Sequence, residues 1–184
     1  MALTIVNGVV YYIKTNHNKT VKNPVMLHKL EGYLTGGAKK HSCVQVKTSS
    51  GATAIAKHVN SITYRNGLFY ITTMNGEAKT ANQVMAFGTD GIIQHKYSFD
   101  GGDGIGTIDY YDTKNNTPRF LISLGHSTDA SHEGKVKFQL VKLSDSTNKI
   151  VESTDHITFY AKCPYDTYFR GNDCYYDCSS KNCM

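Results

Sequence analysis

Tryptophan is absent from this chain of 184 residues, and proline is confined to Pro24, Pro118 and Pro164. No apolar run approaches the about 20 residues that a membrane-crossing helix needs. The N-terminus has no basic segment leading into an apolar core, so no signal peptide is expected. A sustained helical period is missing too, which excludes a helical bundle. At most one turn is expected near Ala52 to Val59.

Acid is scarce in the first third. Residues 1–60 carry eight lysines against one acid, Glu31, in a chain whose net charge is +5. The rest of the chain is therefore slightly acidic. Such asymmetry suits an anionic partner. It equally suits solvated lysines on strand edges, where they block edge-to-edge pairing. Nucleic acid is the disfavoured partner, and a homo-oligomer is a further option.

What the chain has in quantity is tyrosine, 13 in all, with 16 glycines and many Asn and Thr residues. These fit strands joined by tight turns. A pattern recurs within them. Asn7-Gly8-Val9-Val10-Tyr11-Tyr12-Ile13 returns as Asn66-Gly67-Leu68-Phe69-Tyr70-Ile71. Each copy follows a short apolar run. Weaker copies run from Ile108-Asp109-Tyr110-Tyr111 to Arg119-Phe120-Leu121-Ile122, and from Ile157-Thr158-Phe159-Tyr160 to Thr167-Tyr168-Phe169. Further strands are expected at Val25 to Leu30, Gln83 to Phe87, Ile92 to Phe99 and Lys135 to Leu143, the last alternating polar with apolar.

Ile62, Ile108 and Ile157 are spaced by 46 and 49 residues. That period in an all-β sequence points to propeller blades. The expected repeats span 1–57, 58–103, 104–152 and an incomplete 153–184. The strand pairs, with His58-Val59-Asn60-Ser61-Ile62-Thr63-Tyr64 as a blade start, resemble bacterial or phage β-propellers of the NHL and YWTD type. The resemblance implies an all-β array of three and a half to four four-stranded antiparallel blades. Closure would come from the N-terminal strand, from oligomerisation, or not at all in a fragment or open array.

The same resemblance implies that the first strand of each blade lines a channel. His58, Asn60, Tyr64, Asp103, Asp109 and His156 then rim a shallow pocket for a polar ligand. The alternative is that these groups bond to neighbouring blades and fix their register. Asp100-Gly101-Gly102-Asp103-Gly104-Ile105-Gly106 offers two carboxylates for Ca²⁺. It has neither EF-hand spacing nor the following helix of a dinucleotide site, and a crossing between blades accounts for it as well. His126 and His132 flank a polar loop without forming a triad.

Cys163, Cys174, Cys178 and Cys183 crowd the C-terminus, while Cys43 stands alone. Two disulfides are expected there, in one of three connectivities. Zinc is one alternative, although the paired Cys-x-x-Cys knuckles that mark such sites are missing, and free thiols are the other. Disulfides imply an oxidising compartment, hence an extracellular or particle-surface location. No cofactor is expected. Together these features favour a non-enzymatic binding module that recognises glycan or protein, with outward tyrosines as a carbohydrate platform. A propeller-class glycosidase, lyase or glutaminyl-cyclase-like transferase is the enzymatic alternative. A structural or assembly protein, of viral type, is the third.

Overall fold

The computed structural model describes residues 2–14, 23–56, 59–73, 82–100, 104–124, 135–153 and 158–162. Every regular element among them is a strand. In chain order these are β1 (Ala2–Val6), β2 (Val9–Ile13), β3 (Asn23–Pro24), β4 (Met26–Glu31), β5 (Lys40–Gln45), β6 (Ile55–Ala56), β7 (Val59–Arg65) and β8 (Leu68–Thr73). Then follow β9 (Gln83–Gly88), β10 (Ile93–Ser98), β11 (Ile105–Lys114), β12 (Thr117–Leu124), β13 (Lys135–Ser144), β14 (Lys149–Glu152) and β15 (Thr158–Lys162).

The recurring Asn-Gly pairs are hairpin turns. Asn7 and Gly8 have φ of 50° and 76°, and Asn66 and Gly67 have 50° and 84°. Two successive positive φ values make a type I′ turn, whose twist matches that of the strands it joins. Asn115 and Asn116 do the same between β11 and β12, at 49° and 60°. Gly91 has a second constraint besides its φ of 78°. A Cβ there would sit 2.6 Å from the Gln45 carbonyl oxygen. Glycine lets the β9–β10 turn lie directly against the end of β5.

Four main strands fall within each of residues 1–57, 58–103 and 104–152. They form one four-stranded sheet, β1-β2-β4-β5, and one large sheet, β7-β8-β9-β10-β14-β13-β12-β11, with β15 also on β13. The all-β expectation holds. The expected count of separate blades is not seen, because β10 and β14 run parallel and fuse the second and third repeats into one sheet.

That sheet curls until its ends meet, giving a nearly closed barrel. One seam, β10 to β14, has a single register pair, Ser98 with Lys149. Side chains supplement it: the Tyr97 hydroxyl donates to Asp145 at 2.6 Å, and Lys149 pairs with Asp100. The other seam, β7 to β11, is stitched almost wholly by side chains. Asn60 Nδ2 donates to the Ile105 carbonyl at 2.9 Å, and the Ile108 amide donates to Ser61 Oγ at 3.0 Å. Thr63 Oγ1 donates to Asp109 at 2.8 Å. Beyond them the Arg65 guanidinium lies 4.2 Å from the Tyr110 ring centre.

Alternation along β8 and β9 divides two cores. Phe69, Ile71, Met85 and Phe87 face the first sheet and pack with Ala2, Ile13 and Leu27. Tyr70, Val84 and Ala86 face the barrel interior with Ile108, Phe120, Ile122 and Val141. Phe69, Phe87 and Phe120 are fully buried. Each such ring contributes about 1.5–3 kcal/mol through removal from water. The second repeat is thus a middle layer, covered on both faces.

Candidate recognition surface

The inner face of the first sheet is used by that packing, and the outer face is left over. Strand pairing fixes its rows. Ile5, Val10, Leu30 and His41 lie side by side across the four strands, and Leu3, Tyr12, His28 and Cys43 form the next row. The β1 column is apolar and open: Leu3 is 52% and Ile5 56% exposed. Seven large hydrophobic side chains are exposed among the described residues. Four of them, Leu3, Ile5, Tyr33 and Leu34, belong to this sheet or to the turn between β4 and β5. Scattered single residues of this kind are ordinary, whereas a contiguous cluster marks an interaction site.

The β4–β5 side of the same face is polar. The Tyr12 ring stacks on His28 at 4.6 Å, and His28 Nδ1 lies 3.1 Å from His41 Nε2. The 5.4 Å between the two imidazole centres is that N···N distance plus one ring radius on each side. The line joining the nitrogens therefore passes through both ring centres, and the rings are within 15° of parallel. This is an in-plane hydrogen bond, in which one nitrogen donates and the other accepts. It suits a neutral pair or a singly charged pair, and two facing N–H groups would break it. Burial holds the His28 pKa below its ordinary value, with further lowering from His41 and Lys14. The two nitrogens point at each other rather than at a shared ion, and no group of three or more metal-ligating side chains occurs among the described residues.

Cations dominate the surroundings. Lys14 and Lys40 are exposed, and Lys39 lies over the Tyr33 ring at 5.6 Å. Glu31 is taken by Lys29 at 2.8 Å.

The residues expected to rim a ligand pocket are placed differently. Asn60 and Asp109 sit in the β7–β11 seam, each with a hydrogen-bonded partner. Tyr64 packs on the opposite side of β7, its ring 4.8 Å from that of Phe69. The structure brings Asn60 and Asp109 to one seam and separates Tyr64 from them. His58, Asp103 and His156 lie outside the described residues, as do Cys163, Cys174, Cys178 and Cys183. Cys43 is free and exposed.

A second polar cluster was not anticipated. Tyr97, buried in the barrel, and His95 beside it on β10 converge on Asp145, His95 at 3.5 Å. Burial, followed by the bond to Asp145, pushes the Tyr97 pKa far above its ordinary value. The Tyr97 hydroxyl therefore stays protonated and acts as a fixed donor across the β10–β14 seam.

The outer face could have been found from the repeat itself. Leu3, Ile5, Val10 and Tyr12 stand where Ile62, Tyr64, Phe69 and Ile71 stand in the second hairpin. Register places His28 opposite Tyr12 and Leu30 opposite Val10, as Met85 is opposite Ile71 and Phe87 opposite Phe69. Comparison with protein-family models, with curated proteins and with solved structures gives no match to this chain.

Proposed function

We propose that this chain is a non-enzymatic binding module that recognises a protein surface through the outer face of its first sheet. The observation that carries this reading is the open aliphatic column of Leu3 and Ile5, continued by Val10 and Leu30, on a sheet face that nothing in the chain covers among the described residues. Aliphatic side chains on an open sheet face call for an apolar, shape-matched partner. A glycan offers mostly hydroxyls to such a column. On this face the Tyr12 ring already has His28 stacked against it. The β7–β11 residues that would serve an enzyme or a ligand channel, Asn60 and Asp109, are engaged in holding the barrel together.

The test is affinity capture with the wild-type chain and with Leu3→Lys/Ile5→Lys, followed by reconstitution of the captured protein with each purified chain. Titration calorimetry should show binding by the wild type and at least tenfold weaker binding by the variant. Equal binding by both would sink the reading. So would a glycan array on which the wild type binds and the variant is unchanged.

A further inference from the structure

At the side of the first sheet opposite the Leu3–Ile5 column, β5 is the outermost strand. Backbone bonds at its C-terminal end show which way its amides and carbonyls point. The Val46 amide donates to the Val25 carbonyl at 2.9 Å, on the β4 side. The Lys47 amide donates to the Gly91 carbonyl at 2.9 Å, and the Lys47 carbonyl accepts from the Ile93 amide at 2.8 Å, on the other side. Alternation carries this pattern back along β5, whose register with β4 is unbroken from Lys40 to Gln45. The backbone groups of Ser42 and Val44 therefore face β4, and those of His41, Cys43 and Gln45 face outward. The β9–β10 turn closes the outward edge at Gln45 and Lys47. At His41 and Cys43, two amides and two carbonyls have no backbone partner among the described residues. We infer that this edge takes an extended acidic segment of a partner protein as an added strand.

The edge is open sterically as well. Proteins blunt an edge strand with proline, a bulge or a covering loop, or with charge. β5 has no proline and no bulge, and Lys40, His41, Ser42 and Cys43 are all exposed. The His41 ring is turned onto His28 of β4 and leaves the edge clear. Charge is the one guard present, and it is selective. Lys39 and Lys40 are exposed where the strand begins, and Lys47 is exposed beyond its end. The nearby acids are engaged: Glu31 pairs with Lys29 at 2.8 Å, and Asp90, in the closing turn, accepts the Ile92 amide at 2.9 Å. Such an edge repels a basic strand. It repels a second copy too, which brings its own eight lysines against one acid in residues 1–60. A segment bearing Asp or Glu beside Lys39 and Lys40 is attracted. Strand addition draws its affinity from main-chain hydrogen bonds rather than from a broad buried area, so a short open edge suffices for a weak complex.

Fluorescence anisotropy with the full chain, up to about 1 mM, tests this in the range of weak complexes. The probe is the end-blocked, labelled peptide DEVTVTED, whose acids at both ends suit either strand direction. It should bind, and bind less tightly as salt rises. The uncharged peptide NQVTVTQN should bind at least tenfold more weakly. So should DEVTVTED N-methylated at its four central amides, which keeps the charge and blocks the main-chain bonds. Cys43→Pro deletes an outward amide at a place where an edge strand tolerates proline, and should abolish binding with an unchanged circular dichroism spectrum. Cys43→Ser keeps the amide and should bind like the wild type. Should the proline variant fail to fold, Lys39→Glu/Lys40→Glu, at exposed positions, should weaken binding at least tenfold. Bound peptide should protect the His41 and Cys43 amides from hydrogen exchange. Leu3→Lys/Ile5→Lys should leave peptide binding unchanged, which keeps this edge distinct from the aliphatic column. The inference is overturned by a wild type that does not bind, by equal binding of the uncharged or the methylated peptide, or by protection that arises elsewhere. A chain that dimerises through this edge, and is made monomeric by Cys43→Pro, also overturns it in favour of a second copy.

Discussion

Replacing Ser61 with alanine removes one oxygen from the β7–β11 seam and almost nothing else. That oxygen accepts the Ile108 amide at 3.0 Å and lies 3.0 Å from the Thr72 hydroxyl. Ile108 is 2% exposed and Thr72 fully buried, so water does not readily replace the lost acceptor. A buried amide left without a partner costs about 1–3 kcal/mol. For a urea slope of about 1–3 kcal/mol per molar, the unfolding midpoint should fall by roughly 1 M at unchanged slope. Ser144→Ala serves as the control. Its hydroxyl lies at the end of β13, beside the solvent-exposed turn residues Ser146 and Thr147, and its loss should cost under about 0.5 kcal/mol. Hydrogen exchange gives a local check: the Ile108 amide should lose protection in Ser61→Ala beyond the global change. A midpoint equal to that of the wild type, with Ile108 still protected, would refute the reasoning. The amide would then have another acceptor, and the barrel would not be closed at this seam by side chains.

Three further outcomes are expected. Tyr97→Phe should lower stability by about 1 kcal/mol in urea titration, because it deletes the 2.6 Å bond to Asp145 while keeping the ring in the core; no loss would mean the β10–β14 seam does not depend on it. Gly67→Ala should cost about 1–2 kcal/mol by thermal melting, the strain of a left-handed backbone at φ 84° with open space around the new methyl; a neutral result would show that the hairpin relaxes to another turn. Stability should also respond to pH through His28, whose folded pKa lies below 6.5. Between the two values the unfolded chain binds more protons, so this contribution is present above pH 6.5 and is lost as pH falls through the folded value. His28→Gln should flatten that part of the stability profile, and an unchanged profile would exclude the imidazole pair as its source.

The sequence made the local structure legible and the long-range structure much less so. Asn7-Gly8 and Asn66-Gly67 announce type I′ hairpins because only a few residue pairs accept two positive φ values. Alternation along Lys135 to Leu143 announces a strand because its period is a property of the pleat. Neither signal says which strand comes next to which. The parallel contact of β10 with β14 joins residues about 50 positions apart, and nothing in Ser98 or Lys149 advertises it. Asn60 and Asp109 illustrate the same limit. A polar residue near a strand end is compatible with a ligand site or with a seam, and the choice depends on what lies across from it. The channel that the propeller resemblance implies groups Tyr64 with them, yet strand alternation sends it to the other core. The outer face was legible in principle. It required asking which copy of the repeated hairpin has no layer beyond it.

That question also explains the differences between the two copies. A face bearing the full set of Ile62, Phe69, Ile71, Met85 and Phe87 is stable only when another sheet covers it, and exposed to water it would drive irreversible association. The outermost sheet keeps Leu3, Ile5 and Val10 from that pattern but carries Tyr12 in place of Ile71 and His28 in place of Met85. His28 and His41, hydrogen-bonded to each other, stand where the second repeat carries Met85 and Ile93. Part of the layer-stacking surface is thereby retained and part is made wet. As the surface proposed for recognition, such a mixed face would hold off irreversible stacking and still bury its aliphatic column against a partner. This is the behaviour expected of a recognition surface rather than of an unfinished core.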